Sequence, residues 1–253
     1  MHGGPTNLYG ATDCKACAQK KCEESKCLHE CVITESQSEV KIVDHKFAYT
    51  TNMNVLNVTE AAEARRAIRK YTNQAITDAE LDEILRVAGL APSPWNVQPW
   101  RVVIVREQVD KEKLMEASFG QPQVGAASVD IVLYSDMEDA VKTAQEYIHP
   151  NYGDAIEAEA KKQQDTFQSW EPETREQWGH SISYIFLGYL LLALKSHGWD
   201  SSPMLGFEPE KVKELLGIPE SATIPAIIAV GKGAEEGFPH HRHPVDRIRR
   251  YFG

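Results

Sequence analysis

The chain has 253 residues, of which 42% are apolar and 25% charged, a composition that suits a globular protein with one or two cores. Its formal net charge of −10 argues against nucleic acid as a partner, because phosphate binding needs a positive field. No apolar run is long enough to span a bilayer, and no basic start followed by an apolar run marks a secretory signal, so a cytoplasmic, non-membrane protein is expected.

All five cysteines, Cys14, Cys17, Cys22, Cys27 and Cys31, fall in the first 31 residues, with His29 between the last two. Thiolates this close in sequence can converge on zinc or an iron–sulfur cluster. The spacing C-x2-C-x4-C-x4-C-x3-C nevertheless fits neither a zinc-finger nor the common ferredoxin pattern. Residues 1–52 are therefore read as a Cys-rich, poorly ordered extension with no metal assigned, and a metal site as the alternative. Met53 opens MNVLNVTEAAEARRAIRKYT, which looks like a domain start, so the folded domain is placed at 53–253. Met1 and Met53 both stand as candidate starts.

A short helix is expected from Thr59 to about Arg66. Thr77 and Glu80 form a T-x-x-E capping box ahead of Leu81, Ile84, Leu85 and Ala88, which predicts a helix from Asp78 to about Leu90, stopped by Pro92. Arg101–Arg106, Val129–Ser135 and Ile224–Gly231 are strand candidates. Asp136 to Gly179 is charged and helical in tone. Ser181–His197 is almost wholly apolar and ended by Gly198, which predicts a helix buried on all sides. Pro209–Leu216 is a short helix with Gly217 at its end. Strands separated by helices of differing length give an α+β class with a mixed sheet flanked by helices. A helix apolar nearly all round in a domain of this size points to a subunit interface, hence a homodimer.

Glycine motifs are uninformative: GKGAEEG, Gly231 to Gly237, follows a strand but matches neither a dinucleotide fingerprint nor a P-loop. Two basic clusters say more. Arg65, Arg66, Arg69 and Lys70 end the first helix, and HHRHPVDRIRR, His240 to Arg250, lies near the C-terminus. Each alone reads as a solvated face. Together they could close on one phosphate from two sides, since arginine presents a planar fork matched to phosphate oxygens.

The order RRAIRKYT, APSPWNVQPWRVVIV, a buried helix, SPMLGFEPEKVKELLGIPE, a final strand and PHHRHPVDRI resembles the FMN-dependent nitroreductase family over essentially all of Met53–Gly253. That resemblance implies an intertwined homodimer in which FMN is bound at shared sites. Arg65, Arg66 and Arg69 match the family's opening motif, which holds the FMN phosphate and pyrimidine edge. Ala67 stands where a serine is usual, so one hydroxyl contact is lost. Pro92, Ser93, Asn96, Gln98, Pro99 and Trp100 match the family's P-S-x-x-N-x-Q-P-W loop, which reaches a flavin bound mainly by the other subunit; Pro94 and Trp95 lie within it, Trp95 departing from the small residue often found there. Pro203, Met204, Leu205 and Gly206 match the segment beside the isoalloxazine. His240 and Arg242 match the C-terminal phosphate contacts, with His240 in place of lysine a weaker, pH-sensitive partner. Gln121, or Gln123, is placed at the flavin pyrimidine.

The chemistry implied is a ping-pong hydride relay, with NADH or NADPH as donor and a nitroaromatic or quinone-like electrophile as acceptor, sharing one slot. Trp95, Phe167 and Trp170 are candidate walls of that slot, and with Trp178 are equally readable as packing anchors. No catalytic side chain is assigned, because the cofactor carries the redox step. The alternatives are other reductase chemistry in the same family, such as reductive dehalogenation, or a flavin-binding redox or metal sensor using the Cys-rich leader. A structural α+β dimer with a vacated site is a third, supported only by Ala67 and His240.

Overall fold

The computed structural model of the chain describes residues 55–253. The chain divides into two units, Met1–Thr51 and Asn52–Gly253, and the cysteine cluster lies outside the described residues.

Two capping boxes start the described chain. Asn57 and Glu60 close one at the head of α1, Val58–Ala64, and Thr77 and Glu80 close the other at the head of α2, Asp78–Ala88. In each, side chain and backbone satisfy one another's orphan donors. β1 is Trp100–Val105, followed by α3, Gln108–Ala117, and α4, Pro122–Ala126. β2, Val129–Ser135, leads into α5, Met137–Lys142, α6, Ala144–Tyr147, and α7, Ile156–Gln168. α8, Pro172–Ser196, is followed by β3, Asp200–Met204, α9, Pro209–Leu216, β4, Thr223–Gly231, and the short α10, Val245–Ile248.

The four strands form one sheet in the order β1-β2-β4-β3, each neighbouring pair antiparallel. The sheet is therefore antiparallel and not the mixed sheet expected; among the described residues, parallel pairing is limited to an isolated bridge from Ala67 to Ser201. Alternation along the strands divides the core. Val129, Ile131, Leu133, Ala226, Ile228 and Val230 pack with residues of α2 and α8. Val105, Val132, Ile227 and Met204 pack instead with Leu114, Val124 and Val212 of α3, α4 and α9. Side chains that alternate sides at every residue make this two-faced burial the natural outcome of apolar strands.

α8 differs from its expected form twice. It begins at Pro172, nine residues before Ser181, and Pro172 sits where its missing N–H costs nothing. Its polar first half hid the start: Glu176 is buried, its Oε2 accepting from Met137 N at 2.9 Å and its Oε1 from Thr223 Oγ1 at 2.7 Å. Burial raises the Glu176 pKa despite these donors. Nor is α8 buried on all sides, since Tyr184, Ile185 and Tyr189 are 41%, 41% and 42% exposed in the single chain.

Candidate functional site

The first group of predicted residues sits where α1 ends. Arg65 caps the helix in extended backbone, and the chain then runs beside β3 through the Ala67–Ser201 bridge, with Ile68 N donating to Ser201 O at 3.2 Å. Arg66 Nη1 donates to Glu63 O at 2.6 Å and Arg65 O at 2.9 Å, and lies 2.6 Å from His240 Nε2. That imidazole nitrogen is also 3.2 Å from Ala62 O. The C-terminal segment reaches this point by crossing at Gly237, where a Cβ would fall 2.5 Å from Arg66 Cβ. Burial first, and then the charges of Arg242 and Arg66, lower the Arg65 pKa. Among the described residues, no carboxylate forms an ion pair with Arg65, Arg66, Arg69 or Arg242. Arg69 is held through its backbone, whose N–H donates to Glu235 Oε1 at 3.1 Å. Ala67 is exposed.

The second group lies at the other end of the same edge strand. Pro203 and Met204 close β3, Leu205 and Gly206 follow, and Leu205 is exposed while Met204 is buried. Gln121 Nε2 donates to Gly206 O at 2.7 Å, and buried Gln123 donates to Gln121 Oε1 at 2.9 Å. Gln123 therefore orients Gln121, and of the two it is Gln121 that reaches Gly206. Four residue steps of extended chain lead from Ser201 to Leu205, roughly 13 Å. One edge strand thus presents a cationic end and an amide-lined, apolar end.

The third group is the Pro92–Asn96 loop. Pro94–Asn96 forms a 3-10 turn after Ser93, whose backbone is extended. Trp95, Asn96 and Gln98 have φ of 53°, 61° and 44°, in the left-handed region that non-glycine residues rarely enter. Gln98 N donates to Ser93 Oγ at 3.1 Å, Gln98 Nε2 to Asn96 O at 3.1 Å, and Asn96 Nδ2 to Tyr147 O at 2.8 Å. The stiffness of this connector therefore comes from hydrogen bonds that hold strained backbone, and its prolines are only part of it. Among the described residues, no hydrogen bond joins Pro92–Asn96 to the first two groups. Within one chain, the structure brings together the first group and the second group separately, and leaves this loop apart from both.

The candidate slot residues are partly reassigned. Phe167 is fully buried, so it walls no open slot; it is the hub of an aromatic cluster. Its ring centroid lies 5.4 Å from Trp95, 5.4 Å from Trp170 and 5.3 Å from Trp178. Trp170 is half-buried in the same cluster, whereas Trp95 packs edge-on against Phe167 and keeps 53% of its surface exposed. Edge-to-face packing of this kind anchors the loop to α7, and Trp178 of α8 lies tilted against Trp95 at 6.3 Å. A cavity of about 360 Å³ elsewhere is lined by Glu138, Glu173, Glu176, Lys213 and Thr223, and includes none of the predicted site residues.

Sequence reasoning missed Phe119, which lies against Gly206, and the Tyr147 carbonyl that receives Asn96. The Phe119-Gly120 pair was the only local signal for the first, a turn-prone dipeptide after a helix. A backbone carbonyl leaves no signal in side-chain identity.

The Nitroreductase family profile matches residues 62–232. A Thermus thermophilus protein named NADH dehydrogenase is 48% identical over 195 residues, covering 77% of this chain and 95% of that protein. A structure from Exiguobacterium sibiricum solved in complex with FMN is 26% identical with a TM-score of 0.70, covering 80% of this chain and 100% of that one. The Vibrio harveyi NADPH:FMN oxidoreductase, solved with NAD+, shares the fold at 22% identity and a TM-score of 0.62, covering 78% of this chain and 77% of that one.

Proposed function

Because the chain belongs to the nitroreductase family, we propose that it is an FMN-dependent oxidoreductase that takes hydride from NADH or NADPH and reduces quinone-like or nitroaromatic acceptors in a ping-pong cycle. The observation that carries this reading is the cationic cluster. Arg66 and His240, 174 residues apart, meet at 2.6 Å, and Arg65 is held beside Arg242 with its pKa lowered. The guanidiniums of Arg65, Arg66 and Arg242 are like charges drawn together in a protein of net charge −10, at a cost in free energy that an anion would relieve, and His240 meets Arg66 as a hydrogen-bond acceptor. A phosphate monoester fits that need, and the guanidinium fork fits its oxygens.

FMN, when bound, supplies the hydride chemistry. Arg65, Arg66, Arg69, His240 and Arg242 would hold its phosphate end, with Ala67 alongside. The Pro203–Gly206 segment and Gln121 would sit at its ring. The Ser93 hydroxyl, already accepting from Gln98 N, keeps its proton free to donate to a ligand.

The site is completed by a second copy in this reading. The exposed stripe of Tyr184, Ile185 and Tyr189 on α8 is apolar surface that a subunit contact would bury. Phe238, Val245, Ile248, Tyr251 and Phe252 expose a further apolar set along the C-terminal arm. A dimer formed through these surfaces would carry the Pro92–Asn96 loop to the flavin of the other subunit. The domain is taken as 53–253, working in the cytoplasm, with residues 1–52 as an appendage.

The test is an absorption spectrum of the purified full chain. Flavin bands that are bleached by NADH or NADPH and restored by 2-methyl-1,4-naphthoquinone or a nitroaromatic are expected. Protein that takes up no FMN when the cofactor is supplied in excess refutes the reading.

A further inference from the structure

The turn joining α3 to α4 spends free energy on exposing a phenyl ring. Phe119 has φ of 55° and Gly120 has φ of 69°, two successive left-handed residues. Glycine adopts that backbone freely, whereas an L-residue is strained there, and a bulky one is an outlier. The conformation is fixed from all sides. Ser118 N and Gly120 N both donate to Met115 O, at 3.0 and 2.9 Å, and Gln121 N donates to Ser118 O at 3.2 Å. Glu208 N donates to Ala117 O at 2.8 Å, and Gln121 Nε2 to Gly206 O at 2.7 Å, so the turn is sewn to the segment that follows β3.

Among the described residues, little covers the ring that this geometry holds out: Phe119 is 67% exposed, and so is Leu205. A Cβ on Gly206 would sit 3.8 Å from Phe119 Cδ2 and 3.1 Å from Gln121 Nε2, which places the ring edge against the bare face of Gly206. Strained backbone that survives because its surroundings over-determine it is a mark of functional segments. Here it displays an aromatic ring against Gly206, whose chain neighbour Leu205 is exposed as well, at the segment assigned above to the flavin ring.

We propose that Phe119, with Leu205, forms the apolar wall of the acceptor slot and sets its preference for planar aromatic acceptors. The inference rests on the function proposed above, because it takes Leu205–Gly206 to lie at the flavin. A flat, apolar acceptor gains by covering both side chains, and a compact hydrated one does not. Phe119 is thus a specificity-determining residue at the Gly206 segment, whereas Trp170 is half-buried against Phe167 and Trp178.

The experiment uses the FMN-loaded full chain with NADH as donor and compares 2-methyl-1,4-naphthoquinone with ferricyanide. Phe119→Ala should lower the quinone-to-ferricyanide ratio of kcat/KM about tenfold, and Phe119→Tyr should keep it. Phe119→Asn, which suits the left-handed backbone and lacks the large ring, should behave as alanine does and so separate the ring from the strain. Calorimetric titration with 2-naphthoate, which accepts no hydride, should show the same loss as a roughly tenfold higher Kd. A ratio and Kd indifferent to Phe119, in a wild-type protein bleached by NADH, overturn this inference alone. So does dissociation of a wild-type dimer by Phe119→Ala in light scattering, which assigns the ring to a subunit contact. A wild-type protein with no flavin spectrum overturns the proposed function and this inference together.

Discussion

Asn96 does two things that one pair of substitutions can separate. Its backbone sits at φ 61°, and its side-chain amide donates to Tyr147 O at 2.8 Å, tying the strained loop to α6. Asn96→Gly removes the hydrogen bond and accepts the left-handed backbone. Asn96→Ala removes the bond and leaves a Cβ, as in wild type, on a left-handed backbone that alanine tolerates less well than asparagine, whereas glycine is relieved of it. The lost bond is worth about 1 kcal/mol, more if the Tyr147 carbonyl finds no water. The alanine variant should therefore lose about 1–2 kcal/mol, and the glycine variant less, because relief of the strain offsets part of the lost bond. For a domain of this size, thermal unfolding should show Asn96→Ala lower by roughly 2–8 °C, with Asn96→Gly between it and wild type. Equal melting temperatures for the two variants would refute the strained backbone. Wild-type melting in both would refute the link to Tyr147 as well.

Three further perturbations probe other parts of the molecule. Gly237→Ala places a methyl 2.5 Å from Arg66 Cβ and 3.0 Å from Ile68 Cδ1, which should push the C-terminal arm off the cationic cluster. Overpacking of this kind costs about 1–3 kcal/mol, so FMN retention by equilibrium dialysis should fall by about tenfold, and unchanged retention would deny that the arm closes there. Asp130 is buried with both carboxylate oxygens lacking a hydrogen bond, and burial pushes its pKa well above 3.8, against the opposing charge of Lys111. A carboxyl raised in the folded state contributes stability that is full below 3.8 and is lost as pH rises through its folded value, by about 1.4 kcal/mol per pH unit in between. Asp130→Asn should flatten that decline in urea unfolding followed across pH, and a variant with the same pH slope would refute the assignment. On α8, Ile185→Glu puts a charge in the exposed apolar stripe and should yield a monomer by light scattering; a persistent dimer would place the interface elsewhere.

Much of the sheet was legible because β1, β2 and β4 are runs of β-branched residues, and a packed sheet needs little else to identify them. β3 was not. An aspartate and two serines lead into Pro203 and Met204, with no apolar alternation, and an edge strand tolerates the proline because one side of its backbone has no strand partner. α3 escaped for a related reason: buried Lys111 interrupts its apolar face, and the lysine ammonium donates to Ala127 O at 2.7 Å. In both places tertiary partners satisfy residues whose own preferences point elsewhere. The first turns of α8 were hidden likewise, by a glutamate that the fold buries and supplies with donors.

The site divides along the same line. Arg65, Arg66, His240 and Arg242 were identifiable as basic clusters, but a charge cluster becomes a binding site only when the fold denies it carboxylate partners. That depends on β3, the strand the sequence concealed. Its bridge to Ala67 fixes where α1 delivers its arginines, and its far end carries Leu205 and Gly206 to Gln121 and Phe119. The edge strand cannot be recognised from its own residues, yet it sets the distance between the two halves of the proposed flavin site. The APSPWN loop shows the converse. Its composition announces rigidity plainly, but two positive φ angles, a third just after it at Gln98, and a bond to a distant carbonyl are backbone facts that composition does not carry. What the loop holds in place is therefore decided by where its strain is anchored, on α6 and the aromatic cluster around Phe167, and less by the prolines that first draw attention to it.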